Sequence, residues 1–404
     1  MKFAILCLPR YKHLKQMIFR QLAALEHTFH IFEELHREFI DGGLAHLEYP
    51  RNVVPVLCEK LDYGALARYI DEQEIDQVIS FSDRGMLLAA ELREQFAMGG
   101  NTTQSELWVF DKRRMRERLH ECGLSRIRFK NTTLDRLIAD SRDQPLPVIV
   151  KPASLGASIC VELIESREAF RGYIERCRSN RVFDDGNLII EQYVPGAEFS
   201  VEGIIARGEI GFLGVTESHT SGVPYFVGMG HDFFTRHPDA SGIYEFTAAV
   251  IRCLGLDNCP FHIELKRAEG GYEVLEAHTR FAGAMIMELV ERATGVKVFS
   301  HYVETLAGAR LNRPRGSDGY LYCEHLLCTS EGVVEQIRLD PQVTNDERVI
   351  SFALDYSPGE VIEADVVPVE YAGYIAFKAK DVEEANRFRS FADEHFEVKL
   401  TSVK

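Results

Sequence analysis

The sequence predicts an α/β protein. Its first hundred or so residues should form a parallel sheet with helices on both faces, followed by a larger α+β unit of antiparallel strands. Three observations carry this. Apolar runs of strand length alternate with amphipathic stretches in the first quarter of the chain, the pattern of a parallel sheet crossed by helices. Strand–turn–strand signatures then recur at 145–161, 188–205 and 261–276. Finally, 404 residues with 46% hydrophobic and 27% charged content exceed one ordinary core and fit two to four packed units.

In chain order, Lys2 to Leu8 reads as a strand, Leu14 to Leu25 as a helix and His27 to Phe32 as a second strand. Tyr63 to Glu72 reads as a helix, Gln77 to Phe81 as a strand and Gly85 to Phe96 as a helix. The strand at 77–81 runs into Ser82-Asp83-Arg84, a polar cluster at a strand's C-terminal end, where open α/β sheets bind ligands. Asn101 to Ser105 breaks the pattern and marks a boundary. A basic helix follows from Asp111 to Glu121, with Asp111 as N-cap and Gly123 closing it. Leu188 to Gln192 and Glu198 to Ile205 are apolar strands, and 261–266 with 272–276 form a hairpin around Glu269-Gly270-Gly271. A helix from Met285 to Ala293 leads to Gly295, and 320–404 alternates short strands with turns.

Composition excludes several function classes. No apolar run approaches the ~18 residues of a membrane span. The run Phe3 to Leu8, broken by Pro9 and Arg10, is too short for a signal-peptide core. A cytoplasmic protein without a membrane partner is therefore expected. The net charge of −16 argues against a nucleic-acid surface, which needs concentrated Lys and Arg. The nine cysteines are scattered without a CxxC pair and read as buried reduced thiols.

Three segments carry chemistry. With a three-residue loop at 269–271, Glu264 lies across from Glu276. Opposed like charges destabilise a strand pair, so a divalent cation between them is an economical partner; a solvated strand face is the other reading of the same spacing. Strand periodicity places Glu276, His278 and Arg280 on one face. Second, Lys151 ends an apolar strand and precedes the small-residue turn Ser154-Leu155-Gly156-Ala157-Ser158. Such a turn lets backbone N–H groups approach phosphate, though a plain surface hairpin has the same pattern. Third, the strand ending in Glu191 leads through Val194 and Pro195-Gly196 to Glu198, which can offer a carboxylate and main-chain groups to a base and a ribose.

Together and in this order, over roughly residues 1 to 310, these segments resemble the ATP-grasp superfamily, in particular its carboxylate–amine ligases and the L-amino acid (dipeptide) ligase branch. The resemblance implies a Rossmann-like pre-ATP-grasp domain at 1–105, an ATP-grasp domain at 106–310 with a small lid at about 130–200, and a C-terminal α/β subdomain at 311–404. It implies ATP and Mg²⁺, or Mn²⁺, as cofactors. Lys112 and Lys151 would contact the phosphates under a loop containing Ser154, Gly156 and Ser158. Glu191 and the Val194 backbone would read adenine, and Glu198 the ribose. Glu264, Glu276 and His278 would hold the metals, with Arg280 facing the acyl phosphate. Gly230-His231 resembles a substrate-side motif of the dipeptide ligases. The implied reaction joins a small-molecule carboxylate to an amine, probed first with L-amino acids, and the family also implies a homodimer.

Three departures from the family pattern stand out. His278 replaces a metal-binding asparagine, Leu155 and Cys160 stand where glycines are frequent, and Ala284 follows Gly283 in place of a second glycine. The base that deprotonates the amine is open, with His231 and Glu217 as candidates by position. His13, His219, His237 and His262 read as surface or packed residues, although His262 shares a strand face with Glu264. The rival functions are a carboxylase of the same fold and an ATP-binding module without turnover.

Overall fold

The computed structural model describes residues 1–9, 11–34, 49–156, 158–179, 186–312, 320–362 and 370–402. Ala157 of the expected phosphate loop and residues 180–185 of the expected lid lie outside them.

The first unit alternates as its apolar periodicity dictates: β1 (Lys2–Leu6), α1 (Lys12–Leu22), β2 (Thr28–Glu34), β3 (Val53–Cys58), α2 (Tyr63–Glu72), β4 (Gln77–Ile79) and α3 (Asp83–Gln95). Its four strands run parallel in the order β3-β2-β1-β4. The unit is anchored to the rest of the chain through α1. Gln21 accepts from the Phe299 and Ser300 backbone amides at 2.9 and 3.1 Å and donates to Glu291 at 2.6 Å. It thereby supplies, from another part of the sequence, a cap that the following helix N-terminus lacks.

The next segment corrects one expectation. Residues 101–105 do not simply interrupt the pattern; they start α4 (Thr103–Phe110), whose N-cap Thr102 accepts from the Ser105 amide at 3.0 Å. The polar run that breaks the pattern is here cap chemistry. The basic helix α5 (Lys112–Glu121) follows, with Asp111 accepting from Arg113 N at 2.9 Å and Gly123 left-handed at φ 71°.

A small antiparallel sheet comes next: β5 (Phe129–Thr133), α6 (Leu137–Asp140), β6 (Val148–Pro152), β7 (Glu162–Ile164), α7 (Ala169–Ser179) and β8 (Asn187–Gln192), in strand order β5-β8-β6-β7. The main sheet is built from β9 (Glu198–Ala206), β10 (Glu209–Thr220), β11 (Gly228–Phe234), α8 (Ala240–Leu254), β12 (Pro260–Ala268) and β13 (Gly271–His278), backed by α9 (Ile286–Thr294) and α10 (Val298–Leu306).

The C-terminal stretch holds β14 (Tyr320–Cys328), β15 (Gly332–Leu339), α11 (Pro341–Thr344), β16 (Val349–Leu354), β17 (Val361–Ile362), β18 (Glu370–Ala379), α12 (Val382–Glu394) and β19 (Phe396–Thr401). The expectation of strands and turns alone missed α12. Its buried Ala385, Phe388, Arg389 and Ala392 recur at helical spacing, and Asp381 caps it by accepting from Glu384 N. Strands β14, β18 and β16 continue the main sheet, giving the order β13-β12-β9-β10-β11-β14-β18-β16.

The cysteine reading also needs correction. Cys122, after α5, and Cys253, in the last turn of α8, form a disulfide across a sequence separation of 131. Arg118 binds the same spot, donating Nε to Cys253 O at 3.1 Å. No spacing in the sequence reveals such a pair, because helix packing alone brings the two thiols together. The seven other cysteines form no disulfide.

Candidate active site

The site grows from the β12–β13 hairpin. Its turn is tighter than expected: Ala268 pairs with Gly271, leaving the two residues Glu269-Gly270, with Gly270 at φ 83°. The register then shifts between Glu264 and Leu265, so Leu275 is an extra residue on β13. The shorter turn and the bulge offset each other, and Glu264 pairs directly with Glu276, as the three-residue loop also predicted.

Cations surround these carboxylates. Lys112 Nζ lies 3.4 Å from Glu276 and also donates to the Leu155 carbonyl of the expected phosphate loop. His278 Nε2 is 3.4 Å from Glu276, and His262 Nε2 is 3.1 Å from Glu264. Burial alone would favour protonated carboxyls, but Lys112, His278 and Lys151 hold Glu276 well below the usual range. Glu264 is also lowered, with His262 overcoming burial and the repulsion of Glu276. The pair is anionic and suited to a hard divalent cation, whose remaining ligands would come from phosphate and water. Among the described residues no group of three or more His, Cys, Asp and Glu side chains could hold a metal without such help.

Lys151 sits at the end of β6 with Nζ 2.9 Å from Glu191 and donating to Leu275 O, the bulged residue, at 3.2 Å. Glu191 also takes Arg116 Nε at 2.7 Å. Both cations keep its carboxyl lowered against the effect of burial. Arg116 is fully buried, and its other nitrogens reach Ser125 Oγ at 3.1 Å and Val274 O at 2.7 Å. The Glu191 carboxylate is thus committed to two cations. Glu198 receives Lys266 Nζ at 2.9 Å, and that ammonium lies over the Tyr193 and Phe226 rings at 5.3 and 5.7 Å. Val194 lies half-buried in the intervening turn.

In the loop after β6, Ser154 and Gly156 are half-buried, and a Cβ at Gly156 would meet nothing within 4 Å. Ser158, left-handed at φ 55°, donates to Phe226 O at 3.4 Å.

Arg280 and His278 point towards the N-terminal unit. Asp83, at the start of α3, accepts Arg280 Nε at 2.6 Å and lies 3.3 Å from His278 Nδ1. Burial opposes its charge, yet Arg280 and His278 hold the carboxyl far below the ordinary aspartate value. Both ring nitrogens of His278 therefore face carboxylates, and it would ligate a metal only by releasing one of them.

His231 lies on β11 opposite Ser218, whose Oγ is 3.4 Å from its Nδ1. Gly230 beside it is required, because a Cβ there would sit 2.5 Å from Cys323 O. Burial, with His325 and His262 nearby, lowers His231 well below its ordinary value. Glu217 alternates to the other sheet face and accepts from His237 Nε2 at 2.9 Å. The sheet separates it from His231.

Three side chains that contact the candidate site were not singled out from sequence. Arg116 was lost among the basic residues of its helix. Glu202, buried and bonded to Ser200, Thr216 and His262, was signalled only by a lone acid within the apolar strand Phe199 to Ala206. His262 was read as a surface or packed residue, although it shares a strand face with Glu264. Burial disfavours its charge, but Glu202 and Glu264 raise it to about 10, making it an imidazolium clamp between two carboxylates.

With this geometry in view, residues 144–288 match the ATP-grasp domain family. The chain is 24% identical over 234 residues to dapdiamide A synthase of Enterobacter agglomerans, covering 53% of each chain. It is 24% identical over 322 residues to alanine–anticapsin ligase of Bacillus subtilis, covering 69% of this chain and 68% of the relative. The match therefore spans about half the length of the first relative. In three dimensions the chain is similar to an L-amino acid ligase from Bacillus licheniformis, with a TM-score of 0.79 at 17% identity and 99% coverage of both chains.

Proposed function

We propose that this chain, whose residues 144–288 match the ATP-grasp domain, is an ADP-forming carboxylate–amine ligase that makes an amide bond between L-amino acids through an acyl phosphate. The observation that carries the reading is the in-register Glu264–Glu276 pair, flanked by Lys112, Lys151 and Arg280. In this reading residues 1–105, 106–310 and 311–404 are the pre-ATP-grasp, ATP-grasp and C-terminal units, with the lid at about 130–200.

Lys112 and Lys151 bind and orient the nucleotide phosphates, released from Glu276 and Glu191 as the nucleotide enters. The 154–158 loop covers them and excludes water, which would otherwise hydrolyse the acyl phosphate. Glu191 and the Val194 backbone lie along the adenine, and Glu198 meets the ribose. Glu264 and Glu276 would hold Mg²⁺, with His278 a third candidate ligand. When bound, the ion offsets phosphate charge during transfer. Arg280, aimed by Asp83, stabilises the oxyanion that forms as the amine attacks the acyl carbon. His231 stands on the substrate side. A homodimer belongs to the same reading.

The test is phosphate release from Mg-ATP by purified protein across pairs of L-amino acids. We expect release that needs both partners, a product one water lighter than their sum, and complete loss on chelating the divalent ion. Release triggered by bicarbonate alone would replace the ligase with a carboxylase. Tight ATP binding with no release under either condition would leave a non-catalytic module.

A further inference from the structure

A ring cluster lies one strand beyond His231, away from the expected nucleotide and metal residues. His325 on β14 packs against His231 at 5.1 Å, Tyr371 at 4.8 Å and Tyr374 at 4.9 Å between centroids. On its other side Tyr374 meets two residues at the start of the α1 segment, Tyr11 at 5.7 Å and His13 at 5.5 Å.

The tautomers of the two outer histidines follow from their partners. His325 Nδ1 is 3.1 Å from Gly228 O. A carbonyl only accepts, so Nδ1 carries the hydrogen and Nε2 of the neutral ring is a bare acceptor. His13 Nε2 is 2.9 Å from Ala284 O, which by the same logic leaves its Nδ1 bare. Both bare nitrogens are buried without a hydrogen-bond partner among the described residues, and His325 as a whole is only 5% exposed. A buried acceptor left unpaired demands an explanation. Charging the rings does not supply one, since burial lowers both, His325 to about 4.

The cluster borders the reaction centre. His13 hangs from the carbonyl of Ala284, four residues beyond Arg280. Tyr11 lies 3.4 Å from where a Cβ on Gly283 would stand.

We propose that His325 and His13 form a side-chain specificity subsite, in which two bare imidazole nitrogens accept N–H donors of an uncharged polar group on an amino acid substrate, such as a primary amide or a ring N–H. The inference rests on the ligase reading above and deepens it. An aliphatic side chain presented to the same rings would leave both lone pairs unpaired. A site built to hydrogen-bond a donor rejects the analogue that lacks it.

The test is calorimetric binding to the full chain loaded with Mg²⁺ and a non-hydrolysable ATP analogue. The probes are L-glutamine, L-asparagine, L-histidine and L-tryptophan against L-methionine and L-leucine. In the parent protein the tightest binder should be one of the donor-bearing four, by about 10- to 100-fold over its aliphatic counterpart. His325→Phe keeps a ring in the box and removes the acceptor; it should abolish that preference while the ATP analogue binds as before. His13→Phe should do so in part. A parent protein that binds methionine or leucine as tightly as any donor-bearing probe overturns the subsite, whatever the variants do. So does a His325→Phe variant that keeps the preference, which would leave the lone pairs to a resident water only. Binding of no amino acid at all would fail the ligase reading itself.

Discussion

Glu324 and Asp232 share one guanidinium. Arg389 on α12 donates to Asp232 and lies 2.8 Å from Glu324, while the far oxygen of Asp232 takes His219 Nε2 at 2.7 Å. One cation cannot neutralise two buried acids. Burial therefore dominates at Glu324 despite Arg389, raising it from 4.5 to about 8. The folded state keeps a proton that the unfolded chain releases, so this stabilisation is complete below about pH 4.5 and is lost as pH rises through 8. We expect the folding free energy to fall between pH 5 and 8.5 by at most about 1.4 kcal/mol per pH unit from this group. Glu324→Gln should flatten that slope and match or exceed the parent above pH 8, as read by denaturant melts across pH. Nothing in the sequence marks this residue, since its environment is assembled from β11, β14 and α12. The acids at 264 and 276 were legible because a hairpin is local, and two strands joined by a short turn fix their own register.

At the scale of elements, the hairpin depends on Leu275. The turn is one residue shorter than expected and the bulge restores the missing residue. Deleting Leu275 should regularise the ladder, leaving Glu276 opposite Glu264 and positions 278 and 280 on the same sheet face, so that only the bulge's own contribution is removed. We expect such a variant to keep its circular dichroism spectrum and, at saturating ATP, its amino-acid-dependent phosphate release. The same bulge presents the Leu275 carbonyl to Lys151, so ATP should bind more weakly. Helix α5 was readable from Asp111 and Gly123, because its caps flank a periodic stretch. Helices α4 and α12 were not. Thr102 and Asp381 are caps embedded in polar runs, which local chemistry does not distinguish from loops until tertiary packing selects the helix.

Across the whole molecule, the candidate site is shared between units. Asp83 belongs to the N-terminal unit, yet it orients Arg280 and His278 of the main sheet. The cluster 82–84 was picked out from its place at a strand's end, but its partners nearly two hundred residues away were not, because no local rule specifies how two units dock. Asp83→Asn keeps the shape and removes the charge. It should lower kcat by about 10- to 100-fold, as loss of an orienting partner commonly does, with little change in the affinity for ATP. An unchanged kcat in steady-state phosphate release would show that Arg280 needs no such support.

The disulfide between Cys122 and Cys253 has a consequence for how the molecule comes apart. It closes a ring of chain containing the small sheet, β9 to β11 and most of α8. A protease that cuts once anywhere inside this ring, for example in the loop after Lys151, separates the backbone into two pieces that remain covalently joined. The nicked protein should migrate as one band on a non-reducing gel and as two after thiol treatment. With the bond intact, the two fragments cannot diffuse apart even when unfolded, so the cut chain should regain its fold after denaturant is removed, whereas prior reduction should leave the pieces to find each other by collision.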